Sequence, residues 1–263
     1  MIEEIPFRAS VVIPAIPWFD YHLGLSESLE MPKVKIFVMG DNIWREENEW
    51  PLNRTKVLSY YLNSQGSANS ATGDGKLSLA LDPEDQAIDH YIYNPSNPVP
   101  TAGGAMLGLR AGMQVQNSVE SREDVLVYTS EVLSQRLEVT GEVIVELYVS
   151  TDAPSTDFTA KLVDVYPDGN AYNLSDTILR RSFPVDGGVY KLILSLPPTS
   201  NAFHQGHRIR LEVSSSNFPH FDRNPNTGAR FDREENSRVA RQYIYHSEQY
   251  PSRILLPIIP NNN

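Results

Sequence analysis

Glu142-Val143-Ile144-Val145-Glu146-Leu147-Tyr148-Val149 decides the fold class. Val143, Val145, Leu147 and Val149 fall on one side, and Glu142, Ile144, Glu146 and Tyr148 on the other. A period of two with one apolar and one mixed face belongs to a strand lying on a core. The pattern recurs from Pro32 onward. Val34, Ile36 and Val38 alternate with Lys33, Lys35 and Phe37. Tyr190, Leu192, Leu194 and Leu196 alternate with Val189, Lys191, Ile193 and Ser195. Ile209, Leu211 and Val213 alternate with Arg208, Arg210 and Glu212. Residues 55–63, 77–81, 124–129, 157–166, 177–183, 240–246 and 253–259 read as further strands. Turn residues punctuate them: Pro167-Asp168-Gly169-Asn170, Asp186-Gly187-Gly188 and Gly73-Asp74-Gly75. About a dozen short strands without βα alternation predict an all-β, two-sheet jelly-roll sandwich. They argue against a Rossmann or α/β-hydrolase core.

Composition narrows the function. The 263 residues include 22 basic and 33 acidic side chains, a net charge of −11, which repels nucleic-acid backbones. Without cysteine there are no disulfides, thiolate metal sites or cysteine nucleophiles. The longest apolar run, Val11-Val12-Ile13-Pro14-Ala15-Ile16-Pro17-Trp18-Phe19, is too short for a bilayer and carries two prolines. Met1-Ile2-Glu3-Glu4 lacks the basic start of a signal peptide. The expectation is a cytoplasmic protein with no membrane or nucleic-acid partner.

Residues 1–30 stand apart as an N-terminal extension, with residues 31–263 as the sandwich. Pro17 suits the first turn of a short helix over Trp18-Phe19-Asp20-Tyr21-His22-Leu23, and Gly24 suits its end. Trp18, Tyr21 and Leu25 share one face. So short a helix must pack on something. Residues 94–117 form a long Pro/Gly-rich stretch, readable as a surface crossover or as a functional loop.

Catalytic signatures are missing. There is no Gly-x-Ser-x-Gly elbow, and Gly103-Gly104-Ala105-Met106-Leu107-Gly108 has no helix after it to hold a phosphate. His204-Gln205-Gly206-His207 reads as a turn with solvent-facing imidazoles, since its spacing would need a helix to hold metal. Asp152, Asp157, Asp164 and Asp168 read as turn and cap residues. Glu46-Glu47 and Glu234-Glu235 are adjacent and point to opposite strand faces, which makes them poor acid–base pairs. Asn53-Arg54-Thr55 and Asn173-Leu174-Ser175 are glycosylation sequons without an export signal. No metal and no cofactor is expected. Residues 214–228 are rich in turn formers yet hold Phe218 and Phe221, which read as anchors against a core or a partner.

Several segments, in order, resemble the carboxy-terminal part of the CocE/NonD hydrolases, a group that includes X-Pro dipeptidyl-peptidases, α-amino-acid ester hydrolases and glutaryl acylases. They are Trp18-Phe19-Asp20-Tyr21-His22-Leu23; Val38-Met39-Gly40-Asp41-Asn42-Ile43-Trp44-Arg45 with Glu49-Trp50-Pro51; and Asn94-Pro95 with Pro98-Val99-Pro100-Thr101 and Gly103-Gly104. Asp124-Val125-Leu126-Val127-Tyr128-Thr129-Ser130, Asp157-Phe158-Thr159-Ala160-Lys161-Leu162-Val163-Asp164-Val165, Gly206-His207-Arg208-Ile209-Arg210 and residues 214–228 complete the match. The resemblance implies a galactose-binding-like jelly roll, a name that describes topology and not sugar affinity. It implies that the catalytic triad lies in a separate α/β-hydrolase domain, so no catalytic residue transfers and His22 inherits no role. It makes residues 1–30 a remnant of the hydrolase side. It makes Met106 and Leu107 candidates to line a substrate pocket, and Trp18 and Tyr21 interface candidates beside Phe218 and Phe221, with ordinary core packing of the Trp18 helix and the Met106 loop as the alternative. The partner is then a hydrolase domain, in cis in relatives or in trans here, with self-association where it is missing. A free-standing carbohydrate- or ligand-binding module and a small hydrolase with an unrecognised site are the competing readings.

Overall fold

The computed structural model describes residues 7–82, 87–108, 110–184, 187–229 and 236–260. The acidic Met1–Glu4 start, Asp186 of the expected turn, and the Glu234-Glu235 pair lie outside them. Two compact units are present. One takes residues 1–37 and 43–53, the other residues 38–42 and 54–263.

In the smaller unit, α1 runs Phe7–His22. It is longer than the helix expected from Trp18 onward, because Pro14 and Pro17 sit inside it rather than at its start. Each proline forfeits one helical hydrogen bond, and their i, i+3 spacing puts both losses on one side. Gly24 ends the helix as expected, at φ +73°. The Gly24 amide donates to Tyr21 O at 3.1 Å and the Leu25 amide to Asp20 O at 2.7 Å, closing a Schellman turn. Strand β1 (Val34–Val38) then pairs with β2 (Ile43–Glu47). Sequence reading missed β2 because its outward residues are Ile43 and Trp44 and its buried one is Glu47.

The larger unit contains β3 (Lys56–Asn63), β4 (Lys76–Ser78), β5 (Ile88–Tyr93), β6 (Leu126–Ser130), β7 (Leu137–Thr151), β8 (Ser155–Val165), β9 (Ala171–Ser182), β10 (Tyr190–Phe203), β11 (Arg208–Ser214), β12 (Ala240–Tyr245) and β13 (Arg253–Ile259). Their order is β5-β12-β7-β13-β3-β4-β6-β11-β8-β9, with β10 on the remaining edge of β7. The short β4 links the halves, antiparallel to β3 and parallel to β6. Strand β7 is the trunk. It pairs Leu147 with Leu192, Val145 with Leu194 and Val143 with Leu196. Those six residues meet Phe158, Ala160 and Leu162 of β8 and Ile209, Leu211 and Val213 of β11 in one core. Each large aliphatic buried there contributes roughly 1.5–3 kcal/mol. The result is the expected β sandwich.

Two strands depart from simple alternation. In β5 the buried side is Asp89, Tyr91 and Tyr93, and the exposed side includes Ile88 and Ile92. In β8 every residue is buried. Its second face, carrying Asp157, Thr159 and Lys161, therefore has a cover of its own.

Candidate functional site

Residues 94–125 and 214–228 supply that cover. The Thr101 amide donates to Phe218 O at 2.7 Å and the Phe218 amide to Val99 O at 2.9 Å, which binds the two segments together. Val99, Val119, Val125 and Val127 form a small apolar cluster beneath them. The long Pro/Gly stretch thus roofs the β8–β9–β11 face.

Beneath the roof lies a buried polar network. Lys161 Nζ donates to Gln116 Oε1 and to Glu212 Oε2, both at 2.9 Å. Arg210 Nη1 donates to Glu120 Oε2 at 2.6 Å. Burial, and then the Glu212 charge, push the Glu120 carboxyl up to about 7 against the pull of Arg210. Asp176, hydrogen-bonded to Asn217, is also raised by burial, with Lys161 drawing it back. Gln116 ties both legs of the next loop, its Nε2 donating to Ala102 O and Gln114 O at 2.8 Å each. Sequence reasoning found none of Gln116, Glu120, Lys161 or Glu212 as a site, because their partners are 45 to 90 positions away.

The loop that Gln116 holds carries Met106 and Leu107. Gly104 and Gly112 exchange two backbone hydrogen bonds of 2.9 Å. Gly103, at φ +73°, passes so near that a Cβ on it would stand 2.4 Å from Gly112 O. Met106 is half-buried and Leu107 fully exposed. Phe218 is partly exposed beneath the Arg223 guanidinium, and Phe221 is half-buried beside His220. Trp18 and Tyr21 are exposed in the smaller unit.

The histidine pair is corrected. His207 is buried, its Nδ1 2.8 Å from Asp164 Oδ1, while His204 is half-buried. The strand that follows draws His207 inward. The four aspartates do not converge: Asp152 accepts from the Arg241 amide at 2.9 Å, Asp157 meets Arg180, Asp164 meets His207, and Asp168 caps its own turn through the Asn170 amide at 2.9 Å. Among the described residues, no cluster of three or more His, Asp or Glu could hold a metal.

Ser64, His246 and Asp89 form a Ser–His–Asp set that sequence did not reveal. Ser64 Oγ lies 3.1 Å from His246 Nε2 and donates to Asp89 Oδ2 at 2.8 Å. Asp89 Oδ2 is itself 3.1 Å from the same Nε2. A catalytic relay needs the aspartate on the other ring nitrogen and the serine open to substrate. Here both partners crowd one nitrogen, and Asp89 and His246 have no exposed surface. The set is a polar knot in the core. Separately, an open cleft of about 530 Å³ is lined by Asn69, His90, Ile92, Asn97, Arg122 and Asp124, among others.

The geometry defines a β sandwich with a roofed polar face, whose Ser64–His246–Asp89 set lacks the arrangement of a catalytic relay. The chain belongs to the X-Pro dipeptidyl-peptidase C-terminal non-catalytic domain family, whose profile matches residues 29–255. It is similar to the cocaine esterase of Rhodococcus sp. (strain MB1 Bresler), at 44% identity over 257 residues, covering 92% of this chain and 45% of that protein. Among solved structures it resembles an aminopeptidase from a marine-sediment Thaumarchaeota archaeon, with a TM-score of 0.79 and 29% identity, over 97% of this chain and 44% of that one. An α-amino acid ester hydrolase follows at TM-score 0.77 and 26% identity, over 92% and 44%. The chain thus spans just under half the length of each. It corresponds to the C-terminal non-catalytic domain of CocE/NonD-type hydrolases.

Proposed function

We propose that this domain docks onto an α/β-hydrolase catalytic domain, completes its substrate pocket with the Met106–Leu107 loop, and hydrolyses nothing alone. The observation that carries this reading is the aromatic surface of the smaller unit. All three tryptophans of the chain lie there, Trp18, Trp44 and Trp50, at 45%, 59% and 40% exposure. Ile16, Phe19, Tyr21, Phe37 and Ile43 are exposed beside them in sequence. Large aromatics are enriched at interface cores, and so much exposed apolar surface marks a binding site. The relatives are about twice as long, which leaves room in them for a domain that would cover such a surface.

The test is a fluorophosphonate probe together with aryl-ester and X-Pro substrates, applied to the purified chain. No labelled serine and no turnover are expected, because acyl transfer needs an activated nucleophile and an oxyanion hole. Labelling of Ser64, or of any serine with matching turnover, overturns the reading. The polar cleft beside Arg122 favours a second reading, a ligand-binding module. Its signature would be saturable binding of a small polar ligand that Asn97→Ala abolishes.

A further inference from the structure

Glu120 and Glu212 are both buried, and their carboxyls lie within hydrogen-bonding reach of each other. One oxygen of each is satisfied, by Arg210 at 2.6 Å and by Lys161 at 2.9 Å. The other oxygen of each, Oε1, meets no donor from the protein. Ionised carboxylates only accept hydrogen bonds, so two in contact repel unless a proton joins them.

The surrounding charges point the same way. Strand β8 contributes Lys161, β9 Asp176, and β11 Arg210 with Glu212; the roof contributes Glu120, and the 214–228 segment His220 near Asp176. Arg122 and Asp124, further along the roof, pair with each other at 2.7 Å. Lys161 and Arg210 thus face three carboxyls, and one proton brings the buried set to neutrality. A buried charge without compensation costs too much to persist.

We propose that Glu120 and Glu212 share one proton, and that this proton pins the roof, and through it the base of the Met106–Leu107 loop, to the β8–β11 face. The connection is short. Glu120 stands one turn from Gln116, its amide donating to Gln116 O at 2.9 Å. Gln116 accepts from Lys161 and grips both legs of the loop. Loss of the proton to solvent sets two carboxylates against each other and draws Lys161 toward the new charge, which loosens Gln116. The closed roof holds a proton that the open one gives up, so it is tightest near pH 5 and slackens as pH rises toward 7. The consequence for a substrate pocket rests on the proposed docking of that loop; the shared proton does not.

The experiment uses the whole chain with glutamate carboxyls labelled with carbon-13. One carboxyl titrating near 7, lost in Glu120→Gln, is expected. Hydrogen exchange of the Gly112 and Gln116 amides, corrected for intrinsic rates, should show protection falling by up to about tenfold per pH unit between pH 5 and 7. Glu120→Gln, which keeps a donor toward Glu212, should hold protection constant over that range. If Glu120→Gln does not fold, Glu212→Gln should give the same flat profile. The proposal is overturned if no glutamate titrates above pH 6, or if the slope survives in the folded variant. Neither result bears on whether Met106 meets a catalytic domain, which is read separately from the effect of Met106→Ser on activity with that domain present.

Discussion

Gly40 runs so close to Ala202 that a Cβ on it would lie 2.2 Å from the Ala202 carbonyl oxygen. The approach is stitched on both sides, by the Met39 amide to Ser200 O at 2.9 Å and the Ala202 amide to Met39 O at 2.8 Å. Gly40 also holds φ +81°, which side chains adopt at a cost. Clash and strain together give Gly40→Ala an expected penalty of roughly 2–4 kcal/mol. Urea unfolding would register it as a lower midpoint at unchanged slope; an unchanged midpoint would show that this close approach is not needed.

Arg180 grips Asp157 with two hydrogen bonds of 2.9 Å and reaches Asp222 at 3.0 Å. Asp157 is buried, so removing the guanidinium strands a charge beneath the roof. Arg180→Met is expected to cost about 3–5 kcal/mol, and Arg180→Met with Asp157→Asn clearly less, since the double variant leaves no orphaned charge. Thermal unfolding of the three proteins checks this. A double variant as weak as the single one would count against the explanation.

Those residues also show what the sequence made legible. Val143 to Val149 and Leu192 to Leu196 announced themselves, because each strand buries one face and water keeps the other polar. Asp89, Tyr91 and Tyr93 did not, since their strand hides an acid and two phenols and exposes isoleucines. Turn formers around Phe218 and Phe221 marked the 214–228 segment as an ordered loop, and its role as half of a roof came only from the Phe218 backbone pairing. The network around Lys161 was illegible for a related reason. Alternation predicts one wet face, whereas both faces of β8 are dry, and the roof that dries the second lies far off in sequence.

The polar knot at Asp89 predicts an acid response. Burial pushes the Asp89 carboxyl up, but hydrogen bonds from His246, the Ala68 amide and Ser64, with the His246 charge, outweigh it and leave it below the ordinary range. Tyr128 donates to the same carboxylate at 2.8 Å. A carboxyl lowered on folding stabilises above its unfolded value of about 3.9, and that stability is lost as pH falls through the folded value. Asp89→Asn should therefore weaken the protein at neutral pH and lose less than wild type on acidification below about pH 4. Denaturant midpoints at pH 7 and pH 3 measure both. Parallel losses in the two proteins would show that the Asp89 proton is not what acid adds.

The exposed aromatic surface predicts an association that is strongest when no catalytic domain is present. Trp18 lies tilted against His22 with 4.3 Å between ring centroids, and Trp44 packs edge-on to Phe37 at 5.3 Å, so both indoles are held in place rather than free to fold away. A preordered aromatic loses little side-chain entropy on binding, which is why such residues dominate interface energetics. A standard interface removes about 800 Å² from each partner, and the chain without that cover is expected to find it in a second copy. Sedimentation at tens of micromolar should show reversible self-association. Trp18→Ala and Trp44→Ala should each weaken it about tenfold or more, as truncation of an interface anchor does. Met106→Ser should add to the loss if the loop lies in the same contact. A strict monomer at that concentration would mean this surface tolerates water, and association unchanged in both tryptophan variants would place the contact elsewhere on the sandwich.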